Sequence, residues 1–215
     1  MRGKCVVLLS GGLDSSTTLF YAKNNGYDCH ALMFDYGQRH KRELSSAVFI
    51  ANAAKVPYKI IKISLPWKGS SLLDKNIRLP SKRSMKVMSK EIPSTYVPGR
   101  NTIFISFAVS YAEAIGADSI FIGANAIDFS GYPDCRPDYY KAFNKLIKLG
   151  TKKKNIKIIT PLINMLKSDI IRLGKRLGVP LEKTWSCYRG GAEPCGVCDS
   201  CRIREKGFSE VKRNK

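Results

Sequence analysis

At 215 residues, with 44% hydrophobic and 25% charged side chains, the chain is long enough for one buried core with a small appendage, and its composition excludes intrinsic disorder. Lys and Arg number 37 against 17 Asp and Glu, a formal charge of +20, but the excess falls in residues 51–100 and 151–215 as singly scattered lysines. That pattern reads as a solvated surface, so direct nucleic-acid binding is not expected. No apolar run approaches the ~18 residues of a membrane span, and the run at 5–9 is too short for a secretory core, so the expectation is a cytoplasmic chain with no membrane contact.

Strand and helix patterns alternate. Residues 4–9 (KCVVLL) form a short apolar run ending at Ser10-Gly11-Gly12 and predict a buried strand entering a turn. A helix is expected over 14–25, a strand over 27–35, a helix over 42–54 and a strand over 58–63. The stretch 64–100 carries four prolines and no periodicity, the mark of a functional lid or a disordered segment. Further elements are expected as helix 101–115, strand 119–123, helix 137–149, strand 157–159 and helix 168–177. Crossovers of this length predict an α/β fold, a doubly wound parallel Rossmann-like sheet that binds ligands at the carboxyl ends of its strands. The chain divides into a 1–184 α/β domain and a 185–215 C-terminal segment.

Residues 10–17 read SGGLDSST between the first strand and the first helix. Two glycines let the backbone approach a phosphate, the amides that follow sit at the positive end of a helix, and Ser10, Ser15, Ser16 and Thr17 add hydroxyls. Neither GxxxxGK[ST] nor GxGxxG is present, so neither a P-loop lysine nor a dinucleotide fingerprint applies. Asp14 would be a helix cap, a residue orienting Mg²⁺ and pyrophosphate, or both.

Cys187, Cys195, Cys198 and Cys201 follow the spacing C-x7-C-x2-C-x2-C. Four thiolates suit one closed, structural tetrahedral Zn²⁺ per chain, with a [4Fe–4S] cluster as the chemical competitor. Cys5 and Cys29 fall in expected strands and read as core. After the fourth strand, the loop around Asp128, Ser130, Tyr132, Asp134, Arg136 and Asp138 offers many polar groups between prolines, suited to a polar heterocycle or to an ordinary turn-rich loop.

The turn resembles the SGGxDS signature of the PP-loop ATP pyrophosphatases. Taken together with YVPGRN (96–101), SGYPDCRP (130–137) and the WSCY…CGxCxxC tail (185–201), the chain resembles the 7-cyano-7-deazaguanine synthase family along nearly its whole length. The resemblance implies an ATP-dependent ligase of the queuosine and archaeosine precursor route. It converts 7-carboxy-7-deazaguanine and ammonia to the nitrile through adenylated carboxylate and amide, releasing AMP and pyrophosphate. It implies ATP binding by Leu8, Leu9, Ser10, Gly11, Gly12, Leu13, Asp14, Ser15, Ser16, Thr17 and Thr18, with Mg²⁺ accompanying the nucleotide. Catalytic roles fall to Asp14 and Arg100, substrate contacts to Ser130, Tyr132, Asp134 and Arg136, zinc binding to the four cysteines, and the assembly to a homodimer. The basic surface keeps one rival in view, a PP-loop enzyme acting on tRNA directly as a thiolase or lysidine-forming ligase.

Overall fold

The computed structural model describes residues 2–88, 91–125 and 132–213, with positions 85 and 86 as backbone alone. Five parallel strands form one sheet: β1 (Lys4–Leu8), β2 (Asp28–Asp35), β3 (Tyr58–Lys62), β4 (Ser119–Ile122) and β5 (Lys157–Ile159). Their order is β3-β2-β1-β4-β5. The helices are α1 (Leu13–Asn24), α2 (Arg42–Ala53), α3 (Met85–Met88), α4 (Arg100–Ile115), α5 (Pro137–Gly150), α6 (Lys167–Arg176) and α7 (Asp199–Arg213).

Both faces of the sheet are covered, which is why β1 reads as a continuous apolar run. Val6 points into a cluster with Leu32, Ile120, Ile105 and Ala108 of α4, and Tyr140, Phe143 and Ile147 of α5. Its neighbours Cys5 and Val7 point the other way, to Leu19 of α1 and Ala47 and Ile50 of α2. The edge strand β3 is mostly exposed and carries Lys59 and Lys62, charges that discourage pairing with another edge. In α5 the buried Tyr140, Phe143 and Ile147 recur at helical spacing, so one stripe docks while Leu146 and Leu149 face water.

The chain runs from β1 to one side of the sheet and later returns to β4 on the other. The direction of winding therefore reverses between β1 and β4, and the loops after these strands diverge to leave a crevice. The expected doubly wound α/β architecture is the one present.

Boundaries moved slightly. The first strand ends at Leu8, and α1 begins at Leu13 with Gly12 as its N-cap residue, so Asp14 lies inside the first turn and is not the cap. The described residues of 64–99 are irregular apart from α3, yet anchored: Leu65, Ser70, Ser71, Leu79, Thr95 and Val97 are buried. The sequence reading placed no helix at 199–213, where α7 stands packed against α6. Cys201, the last of the four cysteines, falls within the first turn of that helix, and Cys198 immediately precedes it. No helix among the described residues is long and apolar enough to cross a membrane.

Candidate active site

The crevice is a cavity of about 320 Å³ at the carboxyl ends of β1, β2 and β4. Its rim begins with the glycine-rich turn. Gly11 has φ of 81°, and a Cβ there would lie 2.3 Å from the Glu43 carbonyl oxygen and 2.4 Å from the Ala47 amide. Only glycine allows α2 to seat so closely on the turn. On the opposite side a Cβ at Gly123 would lie 2.7 Å from the Ser15 amide, so the loop after β4 abuts the first turn of α1.

The turn is internally tied. Ser10 and Ser15 hydroxyls are 3.0 Å apart, and Ser15 Oγ donates to the Gly12 carbonyl at 3.2 Å. The first intrahelical bond of α1 runs from the Ser16 amide to Gly12, which leaves the preceding amides free of helical partners at the positive end of the helix. Leu8, Leu9, Ser10, Gly12, Leu13, Asp14 and Ser15 line the cavity. Ser16, Thr17 and Thr18 are fully buried beneath it, and Thr17 donates back to Leu13, so they support the turn from below.

Two cations flank Asp14. Lys167 Nζ donates to both of its carboxylate oxygens at 2.8 Å, and Lys167 is itself buried. Arg204 of α7 lines the same end, held by the Leu181 carbonyl and Thr184 hydroxyl at 2.7 Å each. Burial lowers the Arg204 pKa, opposed by the charges of Cys201 and Asp14.

At the other end stands Arg100, the first residue of α4. Its Nη1 donates to Tyr36 Oη at 3.4 Å. Burial works against its charge, but Tyr36, Tyr132 and Asp134 outweigh that and raise its pKa. Glu43 faces this region, and burial pushes its carboxyl up to about 7, with Arg100 pulling the other way. Between the ends lies an apolar wall of Leu32, Leu72, Ile122 and Phe104, the last stacked on Phe34 at 3.9 Å.

The substrate-loop residues separate. Tyr132 lines the cavity, 2.8 Å from the Thr95 hydroxyl. Asp134 is buried beside it but does not reach the wall, and burial raises its pKa. Arg136 is exposed and away from the wall. Ser130 and Asp128 lie outside the described residues.

The four cysteine sulfurs of the tail lie within 4.8 Å of one another. Four thiolates 2.3 Å from one ion would stand ~3.8 Å apart, so the donor set fits a tetrahedral metal. The Arg189 and Cys195 amides each donate to Cys187 Sγ at 3.4 Å, the kind of outer bond that orients a ligand. The tail is tied to the rest of the molecule. The Trp185 amide donates to the Gly11 carbonyl at 2.9 Å, and the Arg42 guanidinium to Gly191 and Ala192 carbonyls at 3.2 and 2.8 Å. Arg83 pairs with Asp199 at 3.0 Å. Trp185, Ser186, Tyr188, Ser200, Ile203 and Arg204 thereby become a wall of the cavity.

Residues 4–212 match the family described as "Queuosine biosynthesis protein QueC". The chain belongs to the QueC family. It is 58% identical to the 7-cyano-7-deazaguanine synthase of Thermosynechococcus vestitus, covering 97% of this chain and 92% of the relative. It is 56% identical to those of Nostoc sp. (97% and 93%) and Thermoplasma acidophilum (98% and 89%). Among solved structures it is similar in fold to a 4-thiouridine synthetase in complex with RNA and ATP, at TM-score 0.54 and 20% identity over 98% of this chain and 50% of that one. It is likewise similar to an NMN synthetase from Francisella tularensis, at TM-score 0.51 and 14% identity over 98% and 85%.

For this QueC chain, sequence reasoning missed Lys167, Arg204, Tyr36, Tyr188 and Glu43. A signal existed for Lys167. A lysine opening a helix meets the positive end of the helix dipole, which is unfavourable without an acidic partner.

Proposed function

We infer that this chain is a 7-cyano-7-deazaguanine synthase, an ATP-using, nitrile-forming enzyme of queuosine biosynthesis. The observation that carries the inference is a QueC family match over residues 4–212, joined to one cavity that the glycine-rich turn and Arg100 share. Its substrates would be 7-carboxy-7-deazaguanine, ammonia and ATP.

The geometry supports a division of labour. A carboxylate is a poor electrophile, so its oxygen must first attack the α-phosphorus of ATP while pyrophosphate leaves. The free amides of α1, with Ser10, Lys167 and Arg204, would hold the departing pyrophosphate, leaving alignment of the attacking oxygen as the main task. Arg100, planar and bidentate, would steady the substrate carboxylate or the α-phosphate. The apolar wall of Phe34, Phe104 and Ile122 suits the face of a flat heterocycle, with Tyr132 as the substrate-side group, Asp134 buried behind it and Ser130 as a further candidate. Ammonia would then displace AMP to give the amide. A second adenylation, on the amide oxygen, would precede loss of AMP as the nitrile forms. No nucleophile from the protein is required.

Mg²⁺ arriving with ATP would offset the pyrophosphate charge, and Asp14 is the residue to hold it. Zn²⁺ would cross-link Cys187, Cys195, Cys198 and Cys201 and so brace the wall formed by residues 185–215 on the 1–184 domain. The homodimer and the cytoplasmic location belong to the same proposal.

Incubation of the purified chain with 7-carboxy-7-deazaguanine, ATP and ammonium, followed by mass spectrometry, tests it. The expected outcome is the nitrile with two AMP per product. ADP and inorganic phosphate in place of AMP, or salt-sensitive turnover of tRNA, would overturn it.

A further inference from the structure

Among the described residues, two carboxylates line the cavity, Asp14 and Glu43. Asp14 accepts from Lys167 through both oxygens and is the residue assigned above to Mg²⁺. Among the described residues, Arg100 is the one charged group acting on the Glu43 carboxyl, and no hydrogen bond to that carboxyl is found. Its position is nonetheless fixed. The α2 backbone at Glu43 and Ala47 seats on Gly11 so closely that a single Cβ would not fit between them. The side chain therefore leaves the helix beside the phosphate-binding turn and toward Arg100. Tyr36 from the end of β2 and Tyr188 from the tail face it, each with its hydroxyl pKa raised by burial first and by Glu43 among the other causes.

The proposed reaction needs a proton acceptor at this place. Ammonia enters with three N–H protons and the nitrile nitrogen retains none. We propose that Glu43 is the general base that removes these protons, an inference that rests on the synthase reading above. As the ammonia nitrogen bonds to the acyl carbon, one N–H proton passes to a Glu43 carboxylate oxygen and the C–O bond to AMP breaks, leaving the amide. When the amide oxygen later bonds to the α-phosphorus and pyrophosphate departs, a second proton leaves the nitrogen. The third leaves as the C–O bond to the second AMP breaks and C≡N forms. Each proton passes from Glu43 to solvent before the next is taken.

Other groups facing the cavity are less suited. Arg39 on the same segment is a cation. His40 has its pKa lowered by burial, and its ring is wedged under Gly190, where a Cβ would lie 2.1 Å from His40 Cγ. The elevated Glu43 carboxyl, at about 7, matches the value a general base needs near neutral pH.

The test compares the parent enzyme with Glu43→Gln and Glu43→Asp, using ammonium and, separately, hydroxylamine as nucleophile. Hydroxylamine is unprotonated at neutral pH and sheds its proton readily to water once bonded to carbon, so it bypasses the base. Glu43→Gln should lower ammonium-dependent turnover by ~10²–10³-fold and erase the limb of the pH profile near neutrality. It should leave hydroxamate formation and its accompanying AMP within a few-fold of the parent. Glu43→Asp should recover at least ~10-fold of the lost ammonium rate. Unchanged ammonium turnover with an unchanged pH profile, or an equal loss with both nucleophiles, would overturn the assignment. A parent that makes no nitrile counts against the reaction itself, whereas a glutamine variant as fast as a working parent counts against Glu43.

Discussion

The two ends of the cavity each hold a carboxylate, and the two are built in opposite ways. Asp14 is clasped by Lys167 at 2.8 Å to both oxygens, while Glu43 has no ion-pair or hydrogen-bond partner among the described residues and only Arg100 acting on it. A clasped carboxylate contributes to folding and fixes a charge beside the phosphates. An unclasped, half-buried one opposes folding and keeps its oxygens available for a ligand's proton. Function and stability therefore coincide at one end and conflict at the other.

That contrast can be broken most forcefully at the Asp14 end. Asp14→Ala should reduce AMP formation by at least ~10³-fold, because it removes the proposed Mg²⁺ ligand beside the pyrophosphate, and should destabilise the fold by ~1–3 kcal/mol by taking away the carboxylate that accepts from buried Lys167 through both oxygens. Retained AMP release, followed chromatographically, would remove Asp14 from the site. Nearly as large an effect is expected from Cys198→Ser. One metal ion per chain should fall to well under that in elemental analysis, and the Trp185 environment should change in fluorescence, since the tail wall is tied to Gly11 and Arg42. Full metal occupancy in this variant would refute the ligand set.

The Glu43 end should respond with the opposite sign in stability. Its carboxyl titrates near ~4.3 when unfolded but at about 7 when folded. Below pH ~4 both states are protonated and nothing is lost. As pH rises toward 7 the unfolded chain gives up its proton first, so stability falls, and above 7 the deficit stays constant. Glu43→Gln lacks that deficit. At pH 8 it should be more stable than the parent by up to about 3–4 kcal/mol, or ~6–16 °C in Tm, while turning over more slowly. The gain should shrink as pH falls toward 5. A variant less stable at pH 8 would mean that Glu43 has a structural partner after all.

A smaller effect sharpens the Arg100 side of the same end. Tyr36→Phe removes the hydroxyl that accepts from Arg100 at 3.4 Å and keeps the ring beneath the guanidinium. A neutral hydrogen-bond partner contributes ~0.5–1.5 kcal/mol, so KM for the deazapurine acid should rise ~3–10-fold with kcat nearly unchanged. A fall in kcat instead would mean that Arg100 acts on the transition state and needs Tyr36 to do so.

How much of this was legible depended on distance along the chain. The SGGLDSST turn and the four cysteines are local patterns, and spacing alone brought out their chemistry. The alternation of apolar runs likewise told of a doubly wound sheet, because burial on both faces leaves its mark within each strand. Lys167 lies 153 residues from Asp14, and nothing near either residue names the other. Nothing in the sequence marks Glu43 out, since its place beside the turn arises only once Gly11 lets α2 settle there. Arg204 and Tyr188 were hidden for a related reason. Cysteine spacing describes a metal site but not which surface the site will lean against.

Cys135 tests the same lesson with the smallest expected effect. It lines the cavity near Asn101 and stands in the substrate loop, where a thiol invites a nucleophilic role. Burial, with Asp134 adding to it, pushes the thiol up to about 12, so the reactive thiolate is scarce at neutral pH. Adenylation already supplies the leaving group, so a thioester would add a step without lowering a barrier. Cys135→Ala should therefore keep turnover within ~2-fold and leave the reaction insensitive to a thiol-alkylating reagent. A loss beyond ~10², with a trapped acyl–enzyme adduct by mass spectrometry, would shift the chemistry from alignment on ATP to covalent catalysis by the protein.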